Sequence, residues 1–162
     1  MRVLGFDPGS QITGYGIVEY HQHHPSYIAS GCIRLAAGTM PERLYQLHQA
    51  ATQILSQYAP ETIVVEKVFV KHNVDSALKL GQARGVLLAA TAAVSTNIYE
   101  YTPREVKQAV VGYGAAEKSQ IQAMVQSLLS LSSKPQADAA DALAIALCHI
   151  HQHAYQMKFS TK

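Results

Sequence analysis

The chain has 162 residues, 48% of them hydrophobic, and 13 Lys and Arg against 11 Asp and Glu, for a formal net charge of +2. That length and apolar content support one domain with a sizeable core. So even a balance excludes recognition of a polyanion by bulk charge alone, and two cysteines are too few for a disulfide framework.

Taken in chain order, residues 2–7 make a predicted buried strand stopped by Pro8-Gly9. Residues 14–20 make a second strand, 21–26 a turn and 27–35 a third, and such short connections favour antiparallel hairpins. Pro41 opens a helix with Leu44, Leu47, Ala51, Ile54 and Leu55 at helical spacing, ended by Ala59-Pro60. A strand over 62–66 follows, then a long helix over 76–94 with Asp75 or Ser76 as its N-cap. Next come a strand over 98–101 and a short helix from Thr102-Pro103 to Val111, broken by Gly112-Tyr113-Gly114. A helix over 116–131 precedes a last helix from Pro135 to about His153. The spacing thus predicts a single α/β domain over 1–153 and a short, disordered tail over 154–162. Three strands followed by alternating helices and strands imply a mixed five-stranded sheet flanked by helices. The chain opens on a strand-like run without a signal-peptide pattern, and its apolar stretches are too short or too charged to span a bilayer. A cytoplasmic setting with free thiols is the expectation.

Four of the acids lie in apolar surroundings. Asp7 ends the run Val3-Leu4-Gly5-Phe6, Glu66 ends Thr62-Ile63-Val64-Val65, and Asp138 and Asp141 sit in Ala137-Asp138-Ala139-Ala140-Asp141-Ala142-Leu143-Ala144, which carries no other charge. A carboxylate stripped of water costs several kcal/mol unless it is paired or binds a cation. None of these acids has a base at helical spacing in its own segment, and Lys67 would point to the opposite strand face from Glu66. A shared divalent cation is the simplest remedy, and an all-oxygen site suits Mg²⁺ or Mn²⁺. Asp7 and Glu66 fall at the C-terminal ends of the expected central strands, where open α/β sheets place ligands. Asp138 and Asp141, at i and i+3, share one face of the last helix near its positive end. If that face covers the strand ends, the carboxylates can hold two cations about 3.5–4 Å apart, the arrangement used for in-line phosphodiester hydrolysis. Taken singly, Asp7 also reads as a turn acid, Glu66 as a strand-end ion-pair member and Asp138 as a helix-dipole acid.

Basic residues concentrate in Lys67, Lys71, Lys79, Arg84, Arg104, Lys107 and Lys118, interrupted by Asp75, Glu100, Glu105 and Glu117. That stretch is either a basic binding face or ordinary solvated charge. Phe69, among basic residues, is either core or an apolar wedge for distorted DNA. The helix over 76–94 is apolar on more than one stripe, which means deep burial or an interface, and Gly81 and Gly85 permit close approach. His149 and His153, at i and i+4, read as solvated histidines near a fraying terminus rather than as a zinc pair.

The segments Gly5-Phe6-Asp7-Pro8-Gly9-Ser10 with Thr13-Gly14-Tyr15-Gly16, Val65-Glu66-Lys67-Val68-Phe69, Asp75-Ser76-Ala77-Leu78-Lys79-Leu80-Gly81-Gln82-Ala83-Arg84-Gly85 and Gln136-Ala137-Asp138-Ala139-Ala140-Asp141-Ala142 resemble those of the RuvC family, the bacterial Holliday junction resolvases. The resemblance runs from residue 1 to about 150. It implies an RNase H-like fold, a homodimer built on the helix over 76–94, and Mg²⁺-dependent symmetric cutting of four-way DNA junctions, two ions per site with Mn²⁺ as a substitute. It assigns catalysis and metal binding to Asp7, Glu66, Asp138 and Asp141. Lys107 and Lys118 are expected near the scissile phosphate, Phe69 at the junction centre, and Lys71 and Arg84 as further DNA contacts. A branch-migration motor of the RuvA and RuvB type is an implied partner. Hydrolysis would leave 5′-phosphate and 3′-hydroxyl ends. Two rival readings remain from the residues: a sugar-kinase or actin-like ATPase, which also sets an acid and glycines after its first strand but needs two lobes, and a non-catalytic junction binder, which leaves the four acids unexplained.

Overall fold

The structure, a computed structural model, describes residues 1–68, 73–94 and 97–159. The elements run β1 (Arg2–Asp7), β2 (Ile12–His21), β3 (His24–Arg34), α1 (Met40–Tyr58), β4 (Thr62–Glu66), α2 (Val74–Ala92), β5 (Ile98–Tyr101), α3 (Pro103–Val111), α4 (Lys118–Leu128) and α5 (Ala137–Phe159). The strands form one five-stranded sheet in the order β3-β2-β1-β4-β5. β1, β2 and β3 pair antiparallel, while β4 and β5 add in parallel beyond β1. Gln22 and His23, both at positive φ (48° and 68°), form the two-residue turn of the β2–β3 hairpin, a backbone matched to strand twist.

The alternation of strand side chains assigns the two faces. On one face Leu4, Phe6, Ile17, Ile63 and Val65 pack with Leu47, Ala51, Ile54 and Leu55 of α1 and Ala83, Leu87 and Ala90 of α2. On the other, Val3, Val18 and Val64 pack with Val106 and Val110 of α3, Ile121 and Val125 of α4, and the apolar run Leu143–Cys148 of α5. The α5 run is fully buried, which explains why so alanine-rich a helix reads as apolar all round.

Some boundaries differ from expectation. The N-cap of α2 is Asn73, whose side-chain oxygen accepts from the Ser76 amide at 3.1 Å, so the helix starts ahead of Asp75 and Ser76. α4 is shorter than 116–131, because Glu117 and Gln120 form a capping box that fixes its start at Lys118. α5 continues past His153 to Phe159, so residues 154–159, expected in a disordered tail, are helical. His149 is not solvated: it is buried, its Nδ1 lies 3.0 Å from the Tyr101 hydroxyl, and its ring packs on Tyr99. α2 is neither buried all round nor amphipathic in the usual sense. Its solvent side exposes Val74 (67%) and Leu78 (63%). A Cβ built on Gly81 or Gly85 would meet open space.

Candidate active site

Strand parity brings the two strand-end acids together. Asp7 shares its face of β1 with Val3 and Gly5, and Glu66 shares its face of β4 with Thr62 and Val64. Both therefore point to the side covered by α5. The parallel register sets Phe6 beside Val65, so Asp7 and Glu66 are the next residues on adjacent strands.

Glycines let α5 descend onto the sheet at this point. A side chain at Gly14, the residue opposite Asp7 on β2, would collide with the Asp138 carbonyl. One at Gly5 would collide with the Ala142 carbonyl. The backbone of α5 thus touches the backbone of β1 and β2, and the first turns of the helix carry Asp138 and Asp141 over the strand ends. The segment before α5 is tied to β3, with Arg34 Nη2 donating to Gln136 Oε1 at 3.4 Å. The loop after Asp7 is closed by Thr13, a buried residue whose hydroxyl donates to the Gly9 carbonyl at 3.2 Å.

α3 and α4 close the other side. Lys107, Lys118, Pro103, Val106 and Ile121 line a cavity of about 230 Å³ together with Asp7, Glu66, Asp141 and Ala144. Gly112, at φ 92°, ends α3 in the left-handed conformation and starts the corner that turns both lysine-bearing helices to the same cavity. Lys118 Nζ donates to Asp141 Oδ2 at 3.1 Å. Asp138 is not among the residues that line the cavity, although its charge reaches Asp7.

The charges are incompletely balanced. Burial first, then the fields of Glu66, Asp141 and Asp138, push the Asp7 carboxyl up to about 8, against a partial pull from Lys118. Burial and Asp141 push Glu66 up to about 7, with Lys118 and Lys107 opposing. The hydrogen bond to Asp141 holds the Lys118 ammonium above its ordinary range. As the side chains stand, no three of the described His, Cys, Asp and Glu residues form a ready metal-holding group. Lys118 instead stands against Asp141, a partner that no pattern within the helix segment announces. The donor chemistry nonetheless fits a hard divalent cation. It is all carboxylate oxygen, half-buried, and short of positive charge.

The remaining expected contacts divide. Lys107 and Lys118 join the acids. Arg84 is turned inward, its Nε 3.3 Å from the Glu66 carbonyl and its guanidinium paired with Glu100 on β5. Phe69 and Lys71 lie outside the described residues.

The family model for crossover junction endodeoxyribonuclease RuvC matches residues 3–149. This chain belongs to the RuvC family. A crossover junction endodeoxyribonuclease RuvC from Hahella chejuensis is 52% identical over 161 residues, covering 99% of this chain and 94% of the relative. One from Alkalilimnicola ehrlichii is 53% identical over 157 residues, covering 97% and 95%. Among solved structures, Thermus thermophilus RuvC superposes with a TM-score of 0.86 at 31% identity, covering 96% of this chain and 97% of that one. The same protein in complex with Holliday junction substrate gives 0.87 at 32% identity, covering 96% of each. The yeast mitochondrial resolvase Ydc2, at 14% identity and a TM-score of 0.74, shares the fold, covering 98% of this chain and 81% of its own. The RNase H-like architecture expected from the sequence is the one this chain has.

Proposed function

We propose that this chain resolves four-way DNA junctions as a homodimeric, divalent-metal-dependent endonuclease, making paired symmetric nicks. The carrying observation is the convergence of Asp7, Glu66 and Asp141 with Lys107 and Lys118 on one cavity, in a chain about half identical to RuvC endonucleases over nearly its whole length. An ATPase of the sugar-kinase type would need a second lobe, and a mere junction binder would have no use for acids that raise one another's pKa.

Asp7, Glu66, Asp138 and Asp141 are the residues proposed to hold Mg²⁺, with Mn²⁺ as a substitute and two ions per site. Such an ion, when bound, would lower the pKa of an attacking water and stabilise the leaving oxygen. The protein's part follows from its own groups. Asp7 must give up the proton that its surroundings retain to about pH 8. Asp141 must release Lys118, whose side chain is 71% exposed and so free to swing toward a phosphate oxygen as a point charge. Lys107 offers a second cation from the cavity wall. Water attack with departure of the 3′ oxygen leaves 5′-phosphate and 3′-hydroxyl ends.

Two strands of a junction must be cut in fixed relation, and a two-fold interface uses one patch on both subunits. The solvent side of α2, with Val74, Leu78, Gly81 and Gly85, supplies such a patch. Phe69 and Lys71 are retained as proposed junction contacts on the strength of the sequence resemblance. The same resemblance supports a branch-migration motor as a partner. Among the described residues no helix is long and apolar enough to cross a membrane. Work on DNA, together with free Cys32 and Cys148, favours the cytoplasm as its setting. The test is a synthetic four-way junction beside a linear duplex of the same sequence. Paired nicks in opposing strands of the junction, with the duplex intact, are expected, whereas equal cutting of both would refute junction selectivity.

A further inference from the structure

We propose that Arg84 is a positioning residue that holds Glu66 in register for the reaction, an inference that rests on Glu66 being one of the reacting carboxylates. Glu66 is the last residue of β4, and the peptide after it is still held on one edge, where the Lys67 amide donates to the Tyr101 carbonyl at 2.8 Å. Its backbone carbonyl accepts from Arg84 Nε at 3.3 Å, across from α2. The guanidinium of the same Arg84 pairs with Glu100, which faces Val65 in the β4–β5 ladder. Val65 packs on the α2 side of the sheet, so Glu100 projects there too, away from the cavity that receives the Glu66 side chain.

One planar fork therefore bridges two neighbouring strands on the face behind the site. With the Lys67 amide bonded to Tyr101 and the Glu66 carbonyl to Arg84, both edges of this peptide plane are held, and with them the direction in which the carboxylate enters the cavity. Arginine suits this use because its donors are rigid and coplanar, whereas a lysine ammonium cannot serve both acceptors in one plane. The Arg84 side chain is 24% exposed, and its Nε and Nη2 donors are turned to the Glu66 carbonyl and the Glu100 carboxylate rather than to a DNA backbone. This replaces the expectation that Arg84 contacts DNA with a role exercised through Glu66.

The two roles separate experimentally. Arg84→Ala, Arg84→Lys and Glu100→Gln are compared with wild type for junction affinity, its salt dependence, single-turnover cutting, Mn²⁺ binding by calorimetry and melting temperature. Positioning predicts that Arg84→Ala and Glu100→Gln each slow cutting and weaken Mn²⁺ binding by about 10- to 100-fold, the usual range for groups that orient a metal's carboxylates. Junction affinity and salt slope stay at wild-type values, and Arg84→Lys restores little. A DNA contact predicts instead that Arg84→Ala weakens binding and reduces the salt slope by about one. It also predicts that Glu100→Gln, by freeing the guanidinium, tightens binding. That pattern, or wild-type cutting by either variant, overturns the proposal. A slowing that only tracks the unfolded fraction overturns it as well. If Arg84→Ala does not fold, Glu100→Gln and Arg84→Lys decide by the same readouts. Glu66→Gln separates failure of the positioning role from failure of the site. If Glu66→Gln cuts at the wild-type rate the site reading falls. If it is inactive while the Arg84 variants cut normally, only the positioning role falls.

Discussion

Asp7→Asn should abolish cleavage and at the same time stabilise the metal-free protein. The Asp7 carboxyl stands at about 8 against an ordinary 3.8 because it is buried beside Glu66 and Asp141. Between those values the folded chain holds a proton that the unfolded chain has lost, so stability falls as pH rises through this window and is fully retained only below about pH 4. Four units correspond to an upper bound on the order of 5 kcal/mol at pH 8. Water in the cavity and movement of Lys118 relax part of that, and a buried Asn amide costs back about 1 kcal/mol, leaving a net gain of roughly 1–4 kcal/mol. For a chain of this size each kcal/mol moves the melting temperature by about 2–4 °C. Thermal unfolding in EDTA from pH 4 to 8 should therefore show Asp7→Asn slightly below wild type at the acid end and several degrees above it at pH 8. Added Mg²⁺ should close the gap by stabilising wild type more. Junction binding, followed by gel shift, should be kept. A variant that melts below wild type at pH 8, or that loses junction binding along with cutting, would show that Asp7 is a structural acid and that the electrostatic reasoning is wrong.

Other perturbations probe separate parts of the account. Gly14→Ala drives a methyl group into the Asp138 carbonyl, so α5 must lift from the sheet; a loss of about 1–3 kcal/mol and a larger fall in cutting are expected, read by denaturant unfolding and single-turnover assays. Gly85→Glu puts a charge on the open side of α2 and should give monomers by sedimentation that bind junctions yet no longer make paired nicks; paired nicks from a micromolar monomer would refute the proposed interface. Phe69→Ala should slow resolution more than binding with little change in melting temperature, whereas a core phenylalanine would cost about 3–5 kcal/mol.

The sheet and its acids were legible because they obey local rules. An apolar run ending in an acid and a breaker marks a strand end, and i, i+3 spacing puts Asp138 and Asp141 on one helix face whatever the tertiary context. What stayed hidden depends on the packing of distant segments. Nothing near Asp141 in sequence points to Lys118, which reaches it only because the Gly112 corner turns α4 inward. Gly5, Gly14 and Gly16 could have signalled a close approach to the sheet, since glycine inside a strand often marks one, but only the fold shows that α5 is what approaches. A charge count along the chain sets Arg84 in a basic stretch and does not show its ion pair with Glu100 of β5. The burial of His149 is equally invisible to local pattern, because Tyr99 and Tyr101, which pack on it, come from an edge strand. Local sequence does not single out Asn73 as the N-cap over Asp75 and Ser76, because all three residue types cap well.

Metal-dependent resolution is decided by the cutting of a synthetic four-way junction under single-turnover conditions, with Mg²⁺ and then with excess EDTA. Symmetric paired nicks bearing 5′-phosphate ends are expected in Mg²⁺, none in EDTA, and recovery when the ion is restored. Undiminished cutting in EDTA, or an intact junction at every Mg²⁺ and Mn²⁺ concentration tried, would contradict it.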